Sequence, residues 1–249
     1  MTGEIVWLGF AASLVAGLAT GAGALPVLFV KKVSDRLLDV MLGFSAGVML
    51  AATFFSLIIP AIDLSSVWVA VLGIVLGAVA LHLVDRFIPH FHPAFGAEGP
   101  PSRLSRVWLF ALAITIHNFP EGLAVGVSFG SGDVAAGLVV ATAIGLQNMP
   151  EGLAVALPLL REGYSRRRSF GYGTLTGLVE PVGGLLGVAV VSVFNPILPW
   201  ALTFAAGAML FVVSDEIIPE SHRKGFEREA TFGLIAGFVF MMLLDCLFT

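Results

Sequence analysis

The chain alternates between long runs of apolar residues and short polar connections. An apolar run of about 18 residues or more is long enough to cross the hydrocarbon core of a membrane as an α-helix. Eight such runs, numbered as predicted spans 1 to 8, have the approximate bounds 5–30, 37–62, 67–88, 107–129, 134–160, 169–194, 197–218 and 230–248. The longest connection is 89–105. The pattern therefore predicts an all-α polytopic membrane protein with eight transmembrane helices, folded as a single transmembrane domain.

Composition and the placement of charge extend this prediction. The sequence is 57% hydrophobic and only 12% charged, whereas soluble domains are about a quarter charged. All thirteen Lys and Arg residues lie in or directly beside the connections after predicted spans 1, 3, 5 and 7. Because cytoplasmic loops carry the excess of positive charge, we expect both termini to lie outside and the 89–105 loop to lie in the cytoplasm. A single cysteine, Cys246, excludes an internal disulfide and a thiolate cluster.

A nine-residue motif occurs twice within the apolar runs. Residues 117–125 read HNFPEGLAV, and residues 147–155 read QNMPEGLAV. The two spans that carry the motif are joined by a few residues, so they must run antiparallel. A motif duplicated on antiparallel neighbours implies a pseudo-twofold axis in the membrane plane, and sites in proteins with such inverted repeats lie near the midplane. Since Glu180 falls near the centre of predicted span 6, we expect one central site formed by spans 4, 5 and 6.

The motif contains side chains that bind metal ions. His117 and Glu121 are four residues apart and therefore share one helix face, as Gln147 and Glu151 do on the next span. The complete set of candidate metal ligands is His117, Asn118, Glu121, Gln147, Asn148, Glu151 and Glu180. No Lys or Arg lies in the middle of a span, so these carboxylates must be protonated or neutralised by an external cation. Imidazole, amide and carboxylate groups without a thiolate suit Zn²⁺, Fe²⁺ or Mn²⁺, with Cd²⁺ as a further candidate.

The HNFPEG and QNMPEG motifs on consecutive spans, followed by a Glu-Pro pair at Glu180, resemble the ZIP (Zrt/Irt-like) family of divalent-metal transporters, in its prokaryotic branch. The resemblance implies a first metal held by His117, Glu121, Gln147 and Glu151. It also implies a second metal surrounded by Asn118, Asn148 and Glu180, with Glu121 and Glu151 bridging the two ions. Family members often carry His or Asp at the positions of Gln147 or Asn148. Because amides lower the negative charge, we expect one tight site and one weak or transient site.

The same resemblance implies a function. The protein is expected to move a divalent transition metal, with zinc preferred, across a bacterial inner membrane into the cytoplasm. Spans 1, 4, 5 and 6 would move against spans 2, 3, 7 and 8 in an elevator-like form of alternating access. No enzymatic activity, cofactor or nucleic-acid partner is expected, while membrane lipid and a second copy of the chain are candidate partners. The alternatives are a passive metal channel and an intramembrane metal-dependent hydrolase.

Further polar and sulfur-containing residues are candidates for a transport pathway or for secondary metal sites. They are Met49, Ser56, Asp63, Asp39, Met209, Asp215, Glu216, Asp245, His90 and His92. Steps of seven residues place Met49, Ser56 and Asp63 on one stripe of predicted span 2, where they either line a pathway or serve as packing and boundary residues. Asp215 and Glu216 form either an exit site or a solvated helix end.

Two pairs of residues, each with at least one histidine, lie near the expected cytoplasmic side. His90 and His92 form either a weak metal-transit site or, as we favour, two solvated loop histidines, because short His tracts are weak indicators of metal binding. His82 and Asp85 are three residues apart near the end of predicted span 3, and we expect them to form a local hydrogen-bonded pair.

Overall fold

The computed structural model describes residues 2–30, 33–92 and 96–248, and it is 85% helical. Within these residues, eight helical segments are long and apolar enough to cross a membrane. We number them spans 1 to 8: Gly3–Leu28, Asp35–Leu64, Val67–Phe87, Arg106–Gly130, Val134–Arg161, Arg166–Val193, Asn195–Ser221 and Glu227–Phe248. The prediction of an all-α polytopic membrane protein with eight transmembrane helices is confirmed.

The spans are built from α-helices and shorter helical segments. The α-helices are α1 (Thr2–Ala24), α2 (Asp35–Ala52), α3 (Ile59–Leu64), α4 (Val67–Phe87), α5 (Arg106–Gly130), α6 (Val134–Arg161), α7 (Arg166–Gly177), α8 (Glu180–Val193), α9 (Leu198–Val212), α10 (Ile218–Ser221) and α11 (Glu227–Phe248). Two 3₁₀ segments cover Leu25–Leu28 and Asn195–Ile197. Two short strands, β1 (His90–His92) and β2 (Gly96–Glu98), pair antiparallel between spans 3 and 4.

Four spans begin with a capping side chain that accepts a hydrogen bond from a backbone N–H in the first turn. The caps are Ser34 for span 2, Ser66 for span 3, Asp133 for span 5 and Ser165 for span 6. The first backbone N–H groups of a helix have no partner within the helix, so a side-chain oxygen at this position stabilises the helix start. The caps therefore define where these spans begin.

Spans 2 and 7 each contain a π-helical segment that ends shortly before a proline. The segment Thr53–Ile58 precedes Pro60, and the segment Val213–Ile217 precedes Pro219. In both places the sequence reads Ile-Ile-Pro. Proline has no backbone N–H, and its ring clashes with the carbonyl group four residues earlier. A wider π-helical turn relieves this conflict without ending the span, and such turns are frequent at functional sites.

Span 6 is interrupted at residues 178–179, directly before Glu180. Pro181 follows Glu180 in the first turn of α8, where a missing backbone N–H has no cost. Gly122 of span 4 lies against the carbonyl group of Glu180, and a Cβ at position 122 would collide with it. The helix restart and this close backbone contact place Glu180 beside the motif on span 4.

The spans pack in three groups. Spans 1, 4, 5 and 6 pack against one another and form what we call the four-helix unit. Span 2 packs along span 8, and span 3 packs along span 7. Span 2 also contacts span 5, and span 7 also contacts span 4, so these four spans meet in the interior. Spans 3 and 8 leave most of their residues exposed, which suits faces that contact lipid.

Candidate metal centre

The seven side chains proposed from the sequence as metal ligands are all completely buried. We call them the central cluster: His117, Asn118 and Glu121 on span 4, Gln147, Asn148 and Glu151 on span 5, and Glu180 at the start of α8. The helices α5 and α6 continue through Pro120 and Pro150. The helical spacing of each motif therefore holds in the structure, so the residues of one copy that are four apart share a face.

Hydrogen bonds and charge interactions connect the cluster across helices. The side-chain amide of Asn148 donates to Glu180 Oε1 at 2.6 Å and to the backbone carbonyl of Ala16 at 2.9 Å. Glu121 is close enough to Glu151 and Glu180 for the three charges to repel one another. His117 is close enough to Glu151 for an imidazolium there to attract it. Both motif copies thus contribute to one site.

Many polar atoms of the central cluster have no hydrogen-bond partner among the described residues. They are Nδ1 of His117, both polar atoms of Asn118, Oδ1 of Asn148, and Oε2 of Glu151 and Glu180, whereas the carboxylate of Glu121 interacts with the side chain of Gln147. Within the part of the chain that the structure describes, no Lys or Arg pairs with the three glutamates. Buried polar groups of this kind are costly unless they are satisfied. A divalent cation would satisfy several at once, and the nitrogen and oxygen donors suit zinc.

His117 also belongs to a second group of metal-ligand side chains. Its Nε2 atom lies 3.0 Å from Glu216 Oε1 on span 7. Ligand atoms of Asp85, His117 and Glu216 all lie within 4.8 Å of one another, and all three residues are buried. We call this group the Asp85 cluster. His117 therefore connects the central cluster with span 7, a role that the sequence did not indicate.

Asp85 is a residue whose environment we predicted wrongly. Neither of its carboxylate oxygens has a hydrogen-bond partner among the described residues, so the expected local pair with His82 is not formed. His82 is exposed and its ring lies against Phe211. The carboxylate of Asp85 instead faces residues that are distant in sequence. No local spacing rule could identify these partners.

The prediction that His90 and His92 are solvated loop residues is also wrong. Both are almost completely buried, with 1% and 2% of the side chain exposed. His92 Nε2 lies 3.3 Å from Asp215 Oδ2, and His90 Nε2 lies 4.0 Å from Glu216 Oε1. The guanidinium of Arg106 lies over the ring of Phe91, which holds the strand against span 4. The hairpin formed by β1 and β2 thus covers Asp215 and Glu216, the acidic residues of the π-helical turn in span 7.

The secondary candidates on span 2 have diverse environments. Met49 is completely buried in the apolar core, and Asp63 is exposed near the end of α3. Ser56 donates a 2.5 Å hydrogen bond to Asp245 Oδ1 on span 8. The π-helical segment Thr53–Ile58 lies between Met49 and Asp63 and changes the angular spacing along the span. Met49, Ser56 and Asp63 therefore do not form the regular α-helical stripe that the seven-residue spacing predicts.

The two remaining candidates, Asp39 and Met209, lie among residues that stabilise the fold. Asp39 is completely buried, and its Oδ1 atom lies 3.5 Å from Lys224 Nζ. Glu220 pairs with Arg223 at 2.8 Å and with Lys224 at 3.6 Å. Met209 is buried in the apolar core of span 7. Lys224 and Arg223 thus balance Asp39 and Glu220, whereas the described ion-pair neighbours of Glu216 are histidines, which carry a charge only when protonated.

The fold and the buried clusters define the class of this protein as a multi-pass integral membrane protein with buried side chains between its spans that could hold a metal ion. The family model described as ZIP Zinc transporter matches residues 97–245. Zinc transporter GufA of Myxococcus xanthus is 48% identical to the chain, and the match covers 95% of this chain and 97% of that protein. Given this family match and these similarities, the chain belongs to the ZIP family, as its motifs suggested.

Other similar proteins come from bacteria and animals. Zinc transporter ZIPB of Bordetella bronchiseptica is 47% identical, with 91% of this chain and 77% of that protein covered. Zinc transporter ZIP11 of Homo sapiens is 38% identical, with 91% of this chain and 93% of that protein covered. The similarity therefore includes nearly the whole chain and not only the duplicated motif.

Proposed function

We propose that the protein moves zinc across a bacterial inner membrane into the cytoplasm through the central cluster. The observation that carries this proposal is the set of buried carboxylate, imidazole and amide atoms that have no hydrogen-bond partner among the described residues. The names of the similar proteins, which are zinc transporters, support the choice of metal. Members of this family are transporters, so the hydrolase alternative is not favoured.

The central cluster would hold one ion more tightly than a second. The tight position would use His117, Glu121, Gln147 and Glu151. The weak position would use Asn118, Asn148 and Glu180 together with the two bridging glutamates. The 2.6 Å hydrogen bond from Asn148 to Glu180 supports this difference, because it occupies Oε1 of Glu180 and leaves Oε2 as the oxygen of this carboxylate available to an ion. Competition by Cd²⁺, Fe²⁺ and Mn²⁺ for zinc uptake would rank these ions.

The Asp85 cluster and the hairpin would form the exit pathway. His117 interacts with both Glu151 and Glu216, so an ion could pass from the central cluster to span 7 by exchange of one ligand at a time. His90 and His92 provide the next ligands, beside Glu216 and Asp215. Transport requires sites that bind an ion well enough to admit it and weakly enough to release it. Successive partial ligand sets meet this requirement.

The proposed movement follows the packing of the spans. The four-helix unit carries all seven residues of the central cluster. Two side chains that contact the cluster, Ser45 on span 2 and Glu216 on span 7, lie outside this unit. Movement of this unit against spans 2, 3, 7 and 8 would carry the ion between the two sides. The two Ile-Ile-Pro segments, which follow similar π-helical turns in spans 2 and 7, support the inverted-repeat symmetry. Both termini would lie outside, as the distribution of Lys and Arg indicates.

Zinc uptake by the purified protein in liposomes tests the proposal. Glu151→Gln removes the charge with little change in shape, and we expect uptake to fall at least tenfold, since a neutral amide oxygen attracts a divalent cation less strongly than a carboxylate does. Glu162→Gln is the matched control, because Glu162 is exposed at the end of span 5, and it should transport as the wild type does. Wild-type uptake by Glu151→Gln would contradict the proposal. Saturation and strong temperature dependence of the flux would distinguish a carrier from a passive channel.

A further inference from the structure

Ser45 on span 2 lies directly against the central cluster, although its sequence surroundings do not suggest a functional role. Its side chain is completely buried, and its hydroxyl donates a 2.8 Å hydrogen bond to Glu151 Oε1. The other carboxylate oxygen of Glu151, Oε2, has no hydrogen-bond partner among the described residues. Span 2 therefore holds one oxygen of this glutamate, and the other stays available to an ion.

This hydrogen bond differs from those of most buried hydroxyl groups in the protein. The hydroxyls of Ser13, Thr53 and Thr203 donate to backbone carbonyl groups of their own helices, which is the usual arrangement for Ser and Thr within a helix. Ser45 instead donates to a residue 106 positions away in sequence. The serine thus uses its only donor on the carboxylate of Glu151.

The backbone that carries Ser45 is held firmly in place. Gly43 and Gly47, on either side of it, pack against backbone atoms of Ala230 and Leu234 on span 8 with no room for a Cβ. On the other side of the bond, Gly152 packs equally closely against the Thr20 carbonyl of span 1. The backbone of Ser45 is therefore fixed within the pair of spans 2 and 8, and the backbone next to Glu151 is fixed within the pair of spans 1 and 5.

A rigid donor of this kind restricts a flexible ligand. The last torsion of a glutamate side chain has a broad distribution, so an unrestrained carboxylate samples many orientations. A metal ligand works best when neighbouring hydrogen bonds fix its orientation before the ion arrives. We propose that Ser45 is a positioning residue that orients Glu151 from span 2 and thereby strengthens zinc binding at the central cluster. The inference rests on the proposed role of Glu151 as a ligand.

Zinc binding and zinc uptake by Ser45→Ala test this inference. We expect the Kd for zinc, measured by equilibrium dialysis of the purified protein, to rise about ten- to a hundredfold, the usual effect of removing a hydrogen bond that orients a metal ligand. The KM for uptake into liposomes should rise by the same factor, while the maximal rate changes less than about twofold, as expected when only binding is lost. Ser13→Ala is the matched control: it removes a buried serine hydroxyl that bonds within its own helix.

The outcomes separate this inference from the proposed function. A Kd for Ser45→Ala that equals the wild-type value, or an equal rise in Kd for Ser13→Ala, would overturn the positioning role. A fall in thermal stability of Ser45→Ala with unchanged Kd would also overturn it, since the hydroxyl would then serve the fold alone. If Glu151→Gln abolishes uptake while Ser45→Ala binds zinc normally, only the role of Ser45 fails. If Glu151→Gln transports normally, the proposed function itself fails.

Discussion

At the scale of single residues, the chemistry of the protein depends on side chains that lack hydrogen-bond partners. One carboxylate oxygen each of Glu151 and Glu180 has no hydrogen-bond partner within the described residues, and the Glu121 carboxylate has the Gln147 side chain beside it in place of a basic residue. In contrast, Glu220 on span 7 has two basic partners. This difference separates a carboxylate that serves the fold from carboxylates that are available to a cation.

The position of Glu216 beside His117 leads to a specific prediction for release of the ion. Glu216→Gln removes a charge from the Asp85 cluster and changes none of the seven residues of the central cluster. We expect the maximal rate of zinc uptake into liposomes to fall about tenfold while the KM changes less than about threefold, because the change affects a step after binding. Glu229→Gln, which removes a carboxylate from a surface ion pair with Arg36, is the control and should leave both values unchanged. A rise in KM without loss of rate would place Glu216 in the entry step instead.

The sequence predicted some of these residues and missed others for a physical reason. His117, Glu121, Gln147 and Glu151 could be grouped because helical spacing and duplication are local properties of the chain. The partners of Asp85 and of the hairpin histidines come from distant spans, and no periodicity encodes such contacts. Ser45 was missed for the same reason, since its partner lies on span 5.

At the scale of helices, close backbone contacts determine where the ligands lie. Gly122 allows span 4 to approach the restart of span 6, and this approach positions Glu180. Span 6 has no regular helix at residues 178–179, yet the hydrophobic pattern there predicts one continuous span. Hydropathy does not detect such a break, because the break changes hydrogen bonding and not polarity. The Glu-Pro pair was the local indication of it.

Substitution at position 122 tests the importance of this contact. A Cβ at position 122 would collide with the carbonyl of Glu180, so Gly122→Ala should lower the stability by about 1–3 kcal/mol, the usual cost of overpacking. Zinc uptake should fall as Glu180 is displaced. Thermal unfolding in detergent and uptake into liposomes measure the two effects.

Gly171 in α7 provides the matched control. A Cβ at position 171 would meet no neighbouring atom within 4 Å, so Gly171→Ala removes a helical glycine without a collision. This variant should be as stable as the wild type or more stable by up to about 1 kcal/mol, because alanine has the higher helix propensity. Equal behaviour of the two variants would show that the contact between spans 4 and 6 is not limiting.

At the scale of the whole molecule, the distribution of charge makes a prediction about orientation. With both termini outside, the connection between spans 2 and 3 lies outside, and the connection between spans 3 and 4 lies in the cytoplasm. In a Cys246→Ser background, Ser65→Cys should react with a membrane-impermeant maleimide on intact cells. Arg103→Cys should react only after the membrane is permeabilised. The reverse pattern of labelling would show that the orientation is inverted.

The number of spans and the helical class followed directly from hydropathy, because a membrane requires long apolar helices whose backbone hydrogen bonds are satisfied internally. The grouping of the spans did not follow from it. Spans 2 and 8, and spans 3 and 7, pair through glycine contacts such as those of Gly43 with Ala230 and Gly77 with Phe204. Shape complementarity of this kind depends on three-dimensional fit, which hydropathy does not report.

The hydrogen bond from Asn148 to Glu180 has a consequence for the dwell time of an ion. The amide N–H of Asn148 already bonds Oε1 of Glu180, and this bond draws negative charge away from the carboxylate and weakens its attraction for a cation. The free-energy difference between the loaded and unloaded protein is thereby reduced, and a smaller difference favours rapid departure. A storage protein benefits from the opposite arrangement, in which no internal group competes for the carboxylate. The internal amide thus suits a protein that must complete many cycles and not retain its cargo.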